Sequence, residues 1–178
     1  MKWINHSIIA GATTAIINPF LVPIAIIGST APDWIETIAN KVFGARWQHR
    51  QETHYLIVWL SLALFFALVW DFKGILTAFC YGGLTHILAD SLTVAGVPFA
   101  PNSNNRFHLF GGRLRTGDSQ EYIVSFTVLI ISFILIYLMG GFESDSSHFV
   151  PFFYDWQQYY QDGIIDASEY KANRFRIF

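Results

Sequence analysis

Cysteine is nearly absent from this chain, and charge is scarce. The single cysteine, Cys80, stands inside an apolar run, so no intrachain disulfide can form and the residue reads as a small buried hydrophobe. Charged side chains make up 13% of the 178 residues, where a soluble domain carries about 25%. The net charge of −2 and the lack of a basic stripe argue against nucleic acid as a partner. No small-residue cleavage site follows the N-terminal apolar region, which continues past Pro19 and Pro23 and contains His6. It is therefore expected to be retained and not removed as a signal peptide.

What fills the chain instead is hydrocarbon. Hydrophobic residues account for 53% and mean hydropathy is +0.37, which places the chain in a bilayer. Residues 122–142 form an uncharged run ending in Gly140-Gly141, long enough for the roughly 20 residues a membrane helix needs. Residues 55–70 and 74–96 are two further runs joined by a tight turn, as expected for an antiparallel hairpin. The first run, residues 7–31, is interrupted by Asn18-Pro19 and Pro23. Proline removes a backbone donor that lipid cannot replace, so this run is expected to be kinked or re-entrant. The fold class is thus an all-α integral membrane helical bundle, over residues 1–142. Residues 143–178 form a polar and aromatic C-terminal extension, with short helices expected at 155–161 and 167–175 around Asp162-Gly163. The calcium-loop pattern there is poor, because Gln158 and Tyr160 stand where the first and third carboxylate ligands belong.

His86 and Asp90 are the chemically costly residues. They lie one helical turn apart in residues 74–96, which contain no other acid, base or imidazole. Ionisable side chains at membrane depth mark cavities or ions, since hydrocarbon does not solvate them. Asn5-His6 opens the first apolar run, Pro32-Asp33 closes it, and His49-Arg50-Gln51-Glu52-Thr53-His54 precedes the second. Residues four apart share a helix face, so His86 and Asp90 can reach one ion. His49 and His54, five apart, would diverge by about 140° on one helix. His49 is therefore expected in the loop and His54 in the first turn. Mixed imidazole and carboxylate donors without cysteine suit an open catalytic site for one or more divalent ions, with zinc first and manganese or iron as alternatives. Thr53, Ser91 and Thr93 are expected to orient the ligands. The ligands converge on one membrane side only if the first run turns back and returns His6 beside Asp33. Lys41, Arg46, Arg50, Arg106, Arg113 and Arg115 fall on that side, making it cytoplasmic by the positive-inside rule.

In combination, Asn5-His6, Ala31-Pro32-Asp33, His49-Arg50-x-x-Thr53-His54, Gly83-Leu84-Thr85-His86-x-x-x-Asp90-Ser91-x-Thr93-x-x-Gly96 and Arg106-Phe107 through Gly117 to Glu121 resemble the YdjM-like inner-membrane family. The resemblance covers about residues 1–138. Members are regarded as metal-dependent hydrolases, and their ligand order is similar to that of zinc-dependent phospholipases C. The resemblance implies a bacterial inner membrane location and a metal site of His6, Asp33, His49, His54, His86 and Asp90. Many members read Pro-Asp-x-Asp where this chain has Pro32-Asp33-Trp34-Ile35-Glu36, so the second carboxylate is missing or moved to Glu36.

The expected activity is hydrolysis of a phosphoester, in a membrane lipid or lipid-linked substrate, by metal-activated water. Asp33, Glu36 and Glu52 are the catalytic candidates. Arg50, Arg106, Arg113 and Arg115 are the candidates for binding a substrate phosphate by bidentate hydrogen bonds. Two other classes compete. One is a non-enzymatic scaffold or regulator with a structural metal and a protein partner on residues 143–178. The other is an ion or proton carrier built on His86 and Asp90.

Overall fold

The computed structural model describes residues 1–47, 50–69, 71, 74–101, 105–139, 160–163 and 165–173. Helix α1, Trp3–Ile17, ends where Asn18 turns extended ahead of Pro19. Asn18 Oδ1 accepts from Phe20 N at 3.0 Å and caps a short 3-10 turn, Pro19–Leu21. Helix α2, Val22–Val42, starts at once. Pro23 falls in its first turn, where the missing N–H has no intrahelical acceptor to lose. Of the two suspected interruptions, only Asn18-Pro19 breaks the helix. The chain reverses there, and α2 runs back along α1 until the Trp3 indole meets Asp33.

Helix α3, Leu56–Leu68, and helix α4, Ile75–Ser91, form the second hairpin. Asp71 caps α4 by accepting from Leu76 N at 3.0 Å and Thr77 N at 2.7 Å. Helix α4 is the central element and packs on α1, α2 and α3. It approaches α2 backbone to backbone, because a Cβ on Gly28 would overlap the Phe79 carbonyl and one on Gly82 the Ala25 carbonyl. Ala31, Leu56, Trp59, Ile87 and Val97 form the buried core beside this crossing.

After Ser91 the apolar run stops being helical, five residues short of its expected end. The described residues between α4 and α5, 92–101 and 105–118, carry a two-stranded ribbon, β1 Val97–Pro98 against β2 Arg106–Phe107. That ribbon departs from a purely α architecture. Val94 N donates to Leu114 O at 2.9 Å, and Ile57 N to Phe99 O at 3.0 Å, which ties the loop across the ligand-bearing end of the helices.

Helix α5, Ser119–Leu138, packs chiefly on α1. Among the described residues it is the one helix both long and apolar enough to cross a membrane, while α3 is apolar but shorter. Helix α6, Ala167–Asn173, is capped by Asp166, which accepts from Ser168 N and Glu169 N. It matches the second of the two expected C-terminal helices. Most of the first, residues 155–159, lies outside the described residues.

Candidate metal centre

Residue spacing and helix crossing together build the site. His86 and Asp90 share a face of α4, with His86 Nε2 3.6 Å from Asp90 Oδ2. The facing helix α2 runs unbroken through Pro32, whose missing N–H leaves Gly28 O without its helical donor. Ser29 O accepts from His86 Nδ1 at 2.7 Å. A carbonyl can only accept, so Nδ1 carries a hydrogen, and in a neutral ring Nε2 is then the nitrogen with the lone pair.

That lone pair faces further acceptors. His54 Nε2 is 3.3 Å away and Asp33 Oδ1 3.8 Å, while His54 Nε2 and Asp33 Oδ1 are 3.4 Å apart. The His54 Nδ1 is engaged by Thr53 Oγ1 at 3.0 Å. Asp33 Oδ2 accepts from Trp3 Nε1 at 2.6 Å. His6 stacks on His86 with ring centroids 3.8 Å apart and an interplanar angle of 13°. Its Nε2 lies 3.5 Å from Asp90 Oδ1, yet neither ring nitrogen has a hydrogen-bond partner among the described residues.

Two trios of donors result. The ligating atoms of His6, His86 and Asp90 all lie within 4.8 Å of one another, and so do those of Asp33, His54 and His86. Positive charge reaches Asp90 Oδ1 from the Arg50 guanidinium and the Met1 α-amine, and three imidazoles with two carboxylates are a donor set for a divalent transition metal. The residues therefore fit such an ion. His86 is common to both trios, and its one free lone pair serves one ion. Burial pushes the His54 imidazole below its ordinary pKa, with Asp33 opposing in part. The ring is neutral at pH 7, the state in which imidazole ligates. Side-chain exposure is at most 2% for His6, His54, His86 and Asp90 but 15% for Asp33, so Asp33 marks the way in.

Of the expected site residues, His6, Asp33, His54, His86 and Asp90 come together. His49 lies outside the described residues. His54 sits two residues before α3 and not in its first turn, because Tyr55 is still extended. Arg50 joins the cluster: its guanidinium donates to Asp90 Oδ1 at 3.1 Å and to Thr93 Oγ1 at 3.3 Å. It does so from a left-handed backbone, φ 60°, a conformation costly for a residue with a Cβ and frequent at functional sites. Arg106 instead donates to the carbonyls of Ala95 and Gly96 and ties the loop. Arg113 and Arg115 are exposed. Glu36 and Glu52 are half-buried and belong to neither trio. Thr53 and Thr93 contact ligand side chains or Arg50, but the Ser91 hydroxyl donates to Leu88 O within its own helix and orients no ligand.

Several contributors were not expected. Trp3 holds Asp33, the Ser29 carbonyl holds His86, and the Met1 α-amine donates to Asp90 Oδ1. A cavity of about 390 Å³ lies toward the other end of the helices, among Thr14, Leu21, Phe66, Gly74 and Tyr81. Its lining comes from the ends of α1, α3 and α4 away from the cluster and includes none of His6, Asp33, His54, His86 or Asp90.

A model of the YdjM inner membrane protein family matches residues 1–147, which include every residue of the cluster. The chain belongs to that family. No curated protein and no solved structure matches it. As a YdjM family member it is an inner membrane protein, and its polar cluster lies in a chain whose longest apolar helix is largely uncovered by protein.

Proposed function

We propose that this YdjM family protein is a divalent-cation-dependent hydrolase that cleaves a phosphoester in a lipid or lipid-linked substrate. The observation that carries the reading is the approach of His54 Nε2 to His86 Nε2, 3.3 Å apart between two carboxylates. His6, Asp33, His54, His86 and Asp90 would hold the ion, with zinc the first choice and manganese or iron the alternatives. When bound, such an ion lowers the pKa of water toward neutrality and polarises a phosphoryl oxygen.

The chain's own groups supply orientation. Ser29 O keeps a hydrogen on His86 Nδ1, Thr53 Oγ1 engages His54 Nδ1, and Trp3 holds Asp33. Arg50 offers paired N–H donors beside Asp90 for a substrate phosphate. Glu36 and Glu52, half-buried on the segments that carry Asp33 and His54, are the candidates for accepting a proton from water. A lipid-derived substrate follows from the membrane setting and from entry at Asp33.

In this reading α1 and α2 form a re-entrant hairpin. The reversal at Asn18 supports this, because α2 runs back along α1 and brings Asp33 to Trp3 at the start of α1. Helices α3, α4 and α5 then cross in turn, and the arginine bias sets the cluster at the cytoplasmic face.

The test is turnover. Purified protein loaded with zinc is assayed on a panel of phospholipids and lipid-linked phosphates, beside His86→Ala and Asp90→Ala. Hydrolysis by the parent that is lost in both variants, with membrane insertion unchanged, is the expected result. Full turnover in the double variant would contradict it.

A further inference from the structure

We infer that Glu121 is a positioning residue for His6, clamping the first turn of α1 through Asn5 and the Lys2 amide. The functional meaning of this clamp rests on the reading of His6 as a metal ligand. Helix α5 is inside out: its buried residues are Glu121, Ser125 and Ser132, all polar and spaced along one face, whereas its apolar side chains point outward. The polar stripe meets α1. Glu121 Oε2 accepts from Lys2 N and from Asn5 Nδ2, both at 3.2 Å, and Ser125 Oγ donates to Asn5 Oδ1 at 2.9 Å. Glu121, Asn5 and Ser125 are each 0% exposed.

Two features separate this from ordinary packing. Helix α1 has no side-chain cap of its own at Lys2, and the Glu121 carboxyl, from another helix, accepts from the Lys2 N–H at that end. It stands at the positive ends of two helix dipoles, the first turn of α5 and the start of α1, where an anion is favoured. The second feature is His6 itself. His86 is held by Ser29 O and His54 by Thr53, but both His6 ring nitrogens lack a hydrogen-bond partner among the described residues. The ring is placed by its stacking on His86, by Asp90 Oδ1 at 3.5 Å and by the backbone under it, and the backbone is the part that Glu121 holds. Asn5 is the adjoining residue, and the two clamped positions, 2 and 5, also bracket Trp3, whose indole reaches Asp33.

The test reads ring accessibility and metal separately. Full-length, metal-free protein in detergent is treated with diethylpyrocarbonate, and modification is quantified for each histidine by mass spectrometry in the parent, Glu121→Ala and Glu121→Gln. Glu121→Ala should raise His6 modification by about tenfold, as expected for loss of hydrogen bonds to a charged acceptor, with His54 and His86 still protected. Glu121→Gln, which keeps an acceptor oxygen, should behave like the parent. Zinc retention should fall in Glu121→Ala and persist in Glu121→Gln. Continued protection of His6 in Glu121→Ala, simultaneous exposure of all three rings, or a Gln variant behaving like Ala would each overturn the inference. The expected modification pattern in a protein that retains zinc in no form would leave the clamp standing and remove the metal reading instead.

Discussion

The Nε2 atoms of His54 and His86 face each other at 3.3 Å, with each ring engaged at its other nitrogen by Thr53 Oγ1 or Ser29 O. Of these two supports, only Thr53 is a side chain. Thr53→Val should weaken metal binding by about 10–100-fold, the usual effect of removing a ligand's outer partner, while Thr53→Ser retains it. Competition against a chromogenic chelator measures both. Parent-like affinity in Thr53→Val would mean that the hydroxyl does not hold the ring.

Acid should destabilise the metal-free protein through its buried imidazoles. Burial lowers the His54 pKa in the folded chain, whereas the unfolded ring titrates near about 6.5. As pH falls below that value the unfolded state takes up the proton first, so stability is lost progressively from about pH 6.5 toward the lower folded value. The apparent melting temperature in detergent is expected to drop between pH 7 and pH 5, and the drop should be shallower in His54→Gln. An identical pH slope in that variant would contradict this.

The α2–α4 crossing should tolerate no side chain at its centre. A Cβ at Gly28 meets the Phe79 backbone, which cannot swing away, whereas a Cβ at Gly11 meets the flexible end of Ile26 at 3.3 Å. Gly28→Ala is expected to cost about 1–3 kcal/mol, the range for overpacking, and to release metal. Gly11→Ala should change little. Thermal unfolding followed by intrinsic fluorescence distinguishes them, and equal effects would argue against a backbone-to-backbone contact.

Arg50 is predicted to act on substrate more than on metal. Arg50→Ala should raise KM for a phosphoester by roughly tenfold or more, the scale of a lost charge-assisted hydrogen bond, with metal content retained. Metal loss with unchanged KM would reduce Arg50 to a partner of Asp90.

Much of this arrangement was visible in residue spacing. His86-x-x-x-Asp90 announced a shared helix face because the helical period is fixed, and Asn18-Pro19 with Pro23 announced a kink or a reversal because proline removes a donor that lipid cannot replace. What escaped has no signature in side-chain type. The support of His86 is a backbone carbonyl, Ser29 O, which any residue could supply, and Trp3 reaches Asp33 only because the chain folds back over thirty positions. Ser91 was misjudged for a related reason: its hydroxyl is satisfied inside its own helix, one turn back. The run 74–96 looked like a single helix since Leu92–Gly96 remain apolar, but Gly96 takes φ 60° and the loop hydrogen-bonds to Leu114. The polar stripe of α5 was hidden by composition, as three buried polar residues leave a helix of this kind apolar on average.

Metal content is the most direct measurement. The protein purified in detergent, and a His86→Ala/Asp90→Ala variant purified alongside, are analysed by elemental mass spectrometry before and after exposure to zinc, manganese and iron. At least one equivalent of a divalent transition metal in the parent, absent from the variant, is the predicted result. No metal in the parent even after each ion is supplied would contradict the metal centre and leave His54, His86, Asp33 and Asp90 as a purely proton-sharing cluster.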